Sequence, residues 1–257
     1  MNFNSSLPAT LIGISMVIVQ TQVAAAPSPI EIDEIAQAIT VLIDAGELGS
    51  GSGVIINRQG NVYSVVTTAH VLERPNLKYE IVAPDNQRYV LNYKTVKKLP
   101  AVDLAILQFT STNNYRVAKL GNSDGIQRNA KVYVAGFPGR TATIQRPIYN
   151  FIAGKVIANA LRSQPVSDSG YNLVYDNSTL PGMSGGPVLN DQGEVIGIHG
   201  RGEIFNYETP KINPQVAFVY TGRSLGIPIK TFLQLTGRDE TSAILPFPEI
   251  PIAGFPK

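Results

Sequence analysis

From Ile39 to about Tyr220 the chain keeps one rhythm: short β-branched and aromatic runs, each closed off by turn residues. The runs are Ile39–Ile43, Gly53–Ile56, Val62–Thr68, Tyr79–Ala83, Tyr89–Lys94 and Leu104–Phe109, then Lys131–Ala135, Tyr149–Ile157, Tyr171–Tyr175, Pro187–Leu189, Val195–His199 and Val216–Tyr220. Runs this short suit strands rather than helices. Turns such as Asn57-Arg58-Gln59-Gly60-Asn61 and Asn190-Asp191-Gln192-Gly193 join neighbours as hairpins. About six runs fall on each side of the polar stretch Thr110 to Asn129. The expectation is an all-β chain of two six-stranded antiparallel β-barrels, with that stretch as linker. No repeat relates the halves, so the duplication rests on strand count. Composition agrees: 23 Gly and 18 Pro with only 16% charged residues argue against a helical bundle, and 44% hydrophobic residues exclude disorder.

Helical spacing occurs at both ends of this body. Glu31, Asp33 and Glu34 precede or alternate with Ile32, Ile35 and Ile39, which predicts a short amphipathic helix over 30–38. Leu225, Ile229, Phe232 and Leu233, with Pro228 near the start and Gly237 beyond the end, predict one C-terminal helix. The first thirty residues carry no charged side chain, and Leu11–Val19 is an apolar run too short for the roughly 20 residues of a membrane span. Val23 and Ala25 fit the small-residue pattern of signal-peptidase cleavage after Ala25, although no Lys or Arg precedes the apolar run. Pro246, Pro248, Pro251 and Pro256 make the other terminus extended. The expected organisation is therefore a signal peptide at 1–25, an N-terminal segment and candidate propeptide at 26–38, a first barrel at 39–118, a second barrel with its helix at 119–236, and a Pro-rich tail at 237–257.

Several function classes are excluded by residues that are missing. A net charge of +2 gives no footprint for nucleic acid as a partner. With no Cys and two His, neither a thiolate nucleophile nor a multi-His metal site is expected, and no cofactor is implied. The absence of Cys fits a bacterial exported protein, periplasmic or extracellular, without stable membrane insertion.

Three segments carry chemistry. In Gly182-Met183-Ser184-Gly185-Gly186-Pro187, glycines around a Ser permit a sharp turn that exposes the hydroxyl and frees backbone N–H groups. Gly-Ser-Gly runs are also ordinary loops, and Gly49-Ser50-Gly51-Ser52-Gly53 is read as one. In Thr67-Thr68-Ala69-His70 a β run ends in a His, a residue suited to taking and returning the hydroxyl proton, or alternatively a partly buried strand end. In Val102-Asp103-Leu104-Ala105-Ile106-Leu107 a carboxylate stands at the entrance to an apolar strand, either paired with an imidazole or capping a turn.

Taken together, GSGVII at 51–56, TTAH at 67–70, VDLAIL at 102–107, AGFPG at 135–139, GMSGGPVLN at 182–190 and VIGIHG at 195–200 resemble the chymotrypsin-like (trypsin-like) serine proteases, above all their disulfide-free bacterial members. The resemblance covers roughly residues 30 to 235. It implies the chymotrypsin-like two-barrel fold, protein or peptide substrates, Ser184 as nucleophile, His70 as general base and then acid, Asp103 as the residue that orients it, and N–H groups of Gly182 and Ser184 as oxyanion hole. Met183 stands where pancreatic relatives have the Asp that binds the newly formed N-terminus, so that zymogen switch is missing.

The same resemblance points to Ser178, Thr179, His199 and Gly200 as substrate-binding residues. Ser178 occupies the position of the pocket-floor Asp of trypsin, which argues against Lys or Arg at P1, the residue before the cut bond. Thr179 and His199 match the spacing of the glutamyl endopeptidases, where such a pair binds a P1 carboxylate; a pocket for small or apolar P1 side chains is the alternative. Arg201 is read as a surface residue. A catalytically silent binding protein on the same fold is the competing class, and the 22 residues after about 235 leave no room for a peptide-binding module.

Overall fold

A computed structural model describes residues 25–160, 169–205 and 219–238. Nearly all of the expected signal peptide and Pro-rich tail lies outside these residues, as do Val216–Phe218.

Helix α1 (Pro29–Ile39) opens the described chain. Ser28 caps it: its hydroxyl accepts the Glu31 N–H, and the Glu31 carboxylate accepts the Ser28 N–H at 2.7 Å. Strands β1 (Thr40–Asp44), β2 (Ser50–Gln59), β3 (Val62–Thr67), β4 (Glu80–Val82), β5 (Arg88–Val90), β6 (Lys97–Lys98) and β7 (Ala105–Thr110) form one antiparallel sheet in the order β5-β4-β1-β2-β3-β7-β6. Strands β8 (Lys131–Gly136), β9 (Asn150–Asn159), β10 (Leu173–Tyr175), β11 (Pro187–Leu189), β12 (Val195–Phe205) and β13 (Val219–Pro228) close into a six-stranded barrel in the order β10-β13-β12-β11-β8-β9. Helix α2 (Ile229–Leu235) follows directly. The architecture is the expected all-β pair, with the first half a seven-stranded half-barrel rather than six strands.

The local differences have physical reasons. The run read as a strand over 89–94 splits, because the Asn92 side chain accepts the Lys94 N–H and turns 93–95 into 3₁₀ helix. Leu225 pairs with Val174 and lies in β13, so α2 starts only after Pro228, which lacks the N–H needed to continue the ladder. Residues 49–53 are strand rather than loop from Ser50 onward, since a Cβ on Gly51 or Gly53 would press on Val71 or Val65 and glycine lets β2 lie that close. The stretch 110–129 is no loose linker: Leu120 bridges Val195 and, with Tyr115 and Ala118, is buried.

Period-2 alternation with apolar residues on both faces explains the continuous apolar runs. In β7, Ala105, Leu107 and Phe109 point into the core of the first half, while Ile106 points to the other side, as do Val54 and Ile56 of β2. That other side is a shared cluster in which α1 (Ile32, Ala36, Ile39), Ile198, Ile227 and Phe232 of α2 meet the first sheet. Met183, Tyr175 and Val188 belong to a third cluster, inside the closed barrel. The segments around His70 and Ser184 therefore face each other across the seam between two separately packed cores.

Candidate active site

Backbone packing fixes the loop that presents Ser184. Gly182 and Gly185 adopt φ of +97° and +89°, which side chains disfavour. A Cβ at Gly185 would also lie 2.1 Å from the Ser52 carbonyl, and one at Gly186 would lie 2.0 Å from that of Ala135. The Pro181 carbonyl accepts the Gly139 N–H at 2.8 Å, and the Met183 carbonyl accepts the Gly186 N–H at 3.0 Å. In a trans peptide the N–H points opposite to the C=O, so the Gly182 and Ser184 N–H groups are turned the other way. Neither has a protein acceptor among the described residues.

Ser52, which the sequence reading passed over, ties the two halves together at this loop. Its hydroxyl donates to the Gly182 carbonyl at 2.9 Å and accepts the Phe137 N–H at 2.8 Å; its own N–H donates to the Ser184 carbonyl at 2.7 Å.

His70 sits in a turn of 3₁₀ helix, Ala69–Leu72, that follows β3 directly. Its Nδ1 lies 2.6 Å from Asp103 Oδ2, and its backbone N–H donates to Asp103 Oδ1 at 2.9 Å. The pair is half-buried, with side-chain exposures of 35% and 16%. Tyr171 also donates its hydroxyl to Asp103 Oδ2. Burial by itself would raise the Asp103 carboxyl, but hydrogen bonds from His70 and Tyr171 outweigh it and hold the group down at about 2. An ionised carboxylate only accepts, so Nδ1 carries a proton, and in the neutral tautomer this sets, Nε2 keeps its lone pair. His70, Gly182 and Ser184 line one cleft of about 290 Å³, whose other walls include Ile43, Leu77 and Tyr79.

The expected specificity residues are arranged differently. Ser178 is exposed. Thr179 Oγ1 hydrogen-bonds Ser224 Oγ at 2.7 Å, and Ser224 donates onward to the Asn177 carbonyl. His199 lies next to the Ser184 loop, exchanging backbone bonds with Gly185 and Gly186. Its ring is 1% exposed and its Nδ1 meets the Tyr175 hydroxyl at 2.7 Å. Burial, aided by the charge of His70, depresses its imidazole to about 3. Gly200 is buried against Tyr171, whose ring atom Cε1 lies 1.9 Å from where a Cβ would be. Arg201 is exposed, with its guanidinium 4.9 Å from the centre of the Tyr171 ring. No sequence signal marks Tyr171, Tyr175 or Ser224 as partners, because each bond joins residues 24 to 68 positions apart.

Comparison with known proteins places this geometry. Residues 51–198, more than half of the chain, match the family model described as a trypsin-like peptidase domain. The serine protease Do-like HtrA of Bacillus subtilis (strain 168) is 29% identical over 156 residues, 60% of this chain and 33% of that protein. A protein named probable periplasmic serine endoprotease DegP-like, from Pseudomonas fulva (strain 12-X), is 32% identical over 151 residues, 59% of this chain and 29% of its own length. The chain thus spans about a third of these relatives. Among solved structures, the HtrA-type protease AlgW with tripeptide superposes with a TM-score of 0.60 at 22% identity, covering 81% of this chain and 62% of that one, which shows a shared fold. The match spans the strand that carries Ser52, His70, Asp103 and the Ser184 loop, and the chain belongs to the trypsin-like peptidase domain family.

Proposed function

We propose that the chain is a serine endopeptidase that cleaves peptide bonds through an acyl-enzyme formed on Ser184. The observation that carries this reading is the His70 Nδ1 to Asp103 Oδ2 bond of 2.6 Å at the edge of a cleft that also holds Ser184 and Gly182. In the proposed reaction Ser184 Oγ attacks the substrate carbonyl while its proton passes to His70 Nε2. The oxyanion that forms accepts the N–H groups of Gly182 and Ser184, a contribution of roughly 10²–10³ in rate per donor in such sites. Collapse expels the leaving amine, which takes the proton from His70; a water molecule then repeats the sequence and releases the acid. Asp103 stays ionised throughout and stabilises the imidazolium. Labelling by a fluorophosphonate probe tests the reading: peptide mapping should find the label on Ser184, with none on Ser184→Ala.

For P1, we favour a small or medium apolar residue over Glu. His199 is buried, has its Nδ1 engaged by Tyr175 and favours the neutral state, so a cationic partner for a carboxylate is disfavoured; the Thr179 hydroxyl is engaged by Ser224. P1 profiling with Glu, Val, Phe and Lys substrates decides it, and a Glu preference abolished by His199→Gln would restore the other reading. We also read α1 as retained in the active form rather than removed as a propeptide, because Ile32, Ala36 and Ile39 are buried in the cluster shared by both halves. Intact-mass measurement on probe-labelled protein tests this.

Export to the periplasm or beyond is supported by the name of the DegP-like relative, and no described helix is long and apolar enough to cross a membrane. Fractionation of cells expressing the full chain is the test.

A further inference from the structure

Among the described residues the Asp103 carboxylate takes three protein donors, and their distribution is uneven. Oδ1 accepts only the His70 backbone N–H, whereas Oδ2 accepts both the His70 ring N–H and the Tyr171 hydroxyl. Tyr171 is 2% exposed, reaches the carboxylate from just before β10, and fits because Gly200 has no side chain in its way. Arg201 covers the ring from the solvent side.

We propose that Tyr171 is a positioning residue of the site: its hydroxyl fixes the orientation of the Asp103 carboxylate and, by sharing Oδ2 with the imidazole N–H, limits how strongly Asp103 stabilises the His70 imidazolium. The inference rests on the endopeptidase reading above. Two donors on one oxygen divide its negative charge, so each bond weakens the pull available to the other. Tyr171 thus holds His70 in place while making it a weaker base than an unshared carboxylate would. Among the described residues, the polar groups that share a cleft or a charge interaction with His70 are Glu73 and Arg74 just after its own turn, Ser50, Tyr79 and Ser184, Asp103, Ser169 and Tyr171, and His199 and Arg201 of β12. Only Tyr171 among them touches Oδ2 besides His70 itself.

The test is Tyr171→Phe in the full chain, which deletes one oxygen and keeps the ring between Gly200 and Arg201. Because the chain has two His, the imidazole proton signals separate His70 from buried His199 in an NMR titration. Expected is an upward move of the His70 midpoint by about half a pH unit, the scale of one shared charge-assisted hydrogen bond. The acid limb of kcat/KM should move to higher pH in parallel, and kcat should fall about three- to tenfold at unchanged KM, since Tyr171 holds no substrate. 3-Fluorotyrosine at position 171, a more acidic donor, should move the His70 midpoint the opposite way, and serves if the Phe variant does not fold. An unmoved midpoint in both proteins overturns the proposal, as does a loss confined to KM. A wild-type chain that neither labels nor cleaves would sink the endopeptidase reading instead, while the titration would still decide the role of Tyr171.

Discussion

The two histidines of this chain both lie near Ser184, His70 in the same cleft and His199 bonded to the backbone that follows it, and they have opposite surroundings. His70 is one-third exposed, in the 3₁₀ turn after β3, and is paired with an ionised carboxylate. His199 is buried in mid-strand and paired with a phenol. Each is held by a tyrosine of the same short segment, Tyr171 acting through Asp103 and Tyr175 directly. The difference teaches that a histidine becomes a base through a charged partner and access to solvent, and becomes a structural group when its partner is neutral and water is excluded.

The largest expected effect comes from giving His70 a neutral partner as well. Asp103→Asn would offer an amide to Nδ1, favour the wrong tautomer, and lower kcat by about 10⁴-fold; steady-state kinetics at saturating substrate checks it. Next is the pH dependence of stability. The depressed His199 imidazole, at about 3 against an ordinary 6.5, means that the unfolded state binds more protons in this window. Stability should therefore be full above about pH 6.5 and fall toward pH 3, with a slope of up to about 1.4 kcal/mol per unit. Asp103, held at about 2 against 3.8, adds a second loss only as pH falls below about 4. Urea midpoints across pH 3 to 8 should show both, and His199→Gln should remove the upper one alone.

A smaller loss is expected from Tyr175→Phe, which leaves His199 Nδ1 buried without a partner and should cost about 1–3 kcal/mol in urea unfolding while kcat changes little. If kcat instead collapsed, the division between a catalytic and a structural histidine would be wrong. The smallest is Thr179→Val, which removes the bond to Ser224 at a cost of about 1 kcal/mol. On our reading it leaves P1 preference unchanged, as substrate profiling would show.

Much of this was legible in the chain. Apolar period-2 runs such as 104–109 became strands because both faces of β7 have a core to enter. The glycines around Ser184 were legible as a sharp turn because only glycine tolerates those dihedrals and approaches. Boundaries were less so. Leu225 fits a helical period and a strand equally well, and Asn92 redirects a run that propensity alone would extend.

By itself, then, the sequence determined what is local: strands, hairpins, the two short helices, a Ser in a glycine turn, a His after one β run and an Asp before another. Only the tertiary structure decided the partners. Ser52 holding the Ser184 loop, Tyr171 on Asp103, and Tyr175 on His199 all join distant segments. Such bonds leave no periodic trace, because their strength depends on burial and on the direction of approach, and both are fixed only when the two cores close on each other.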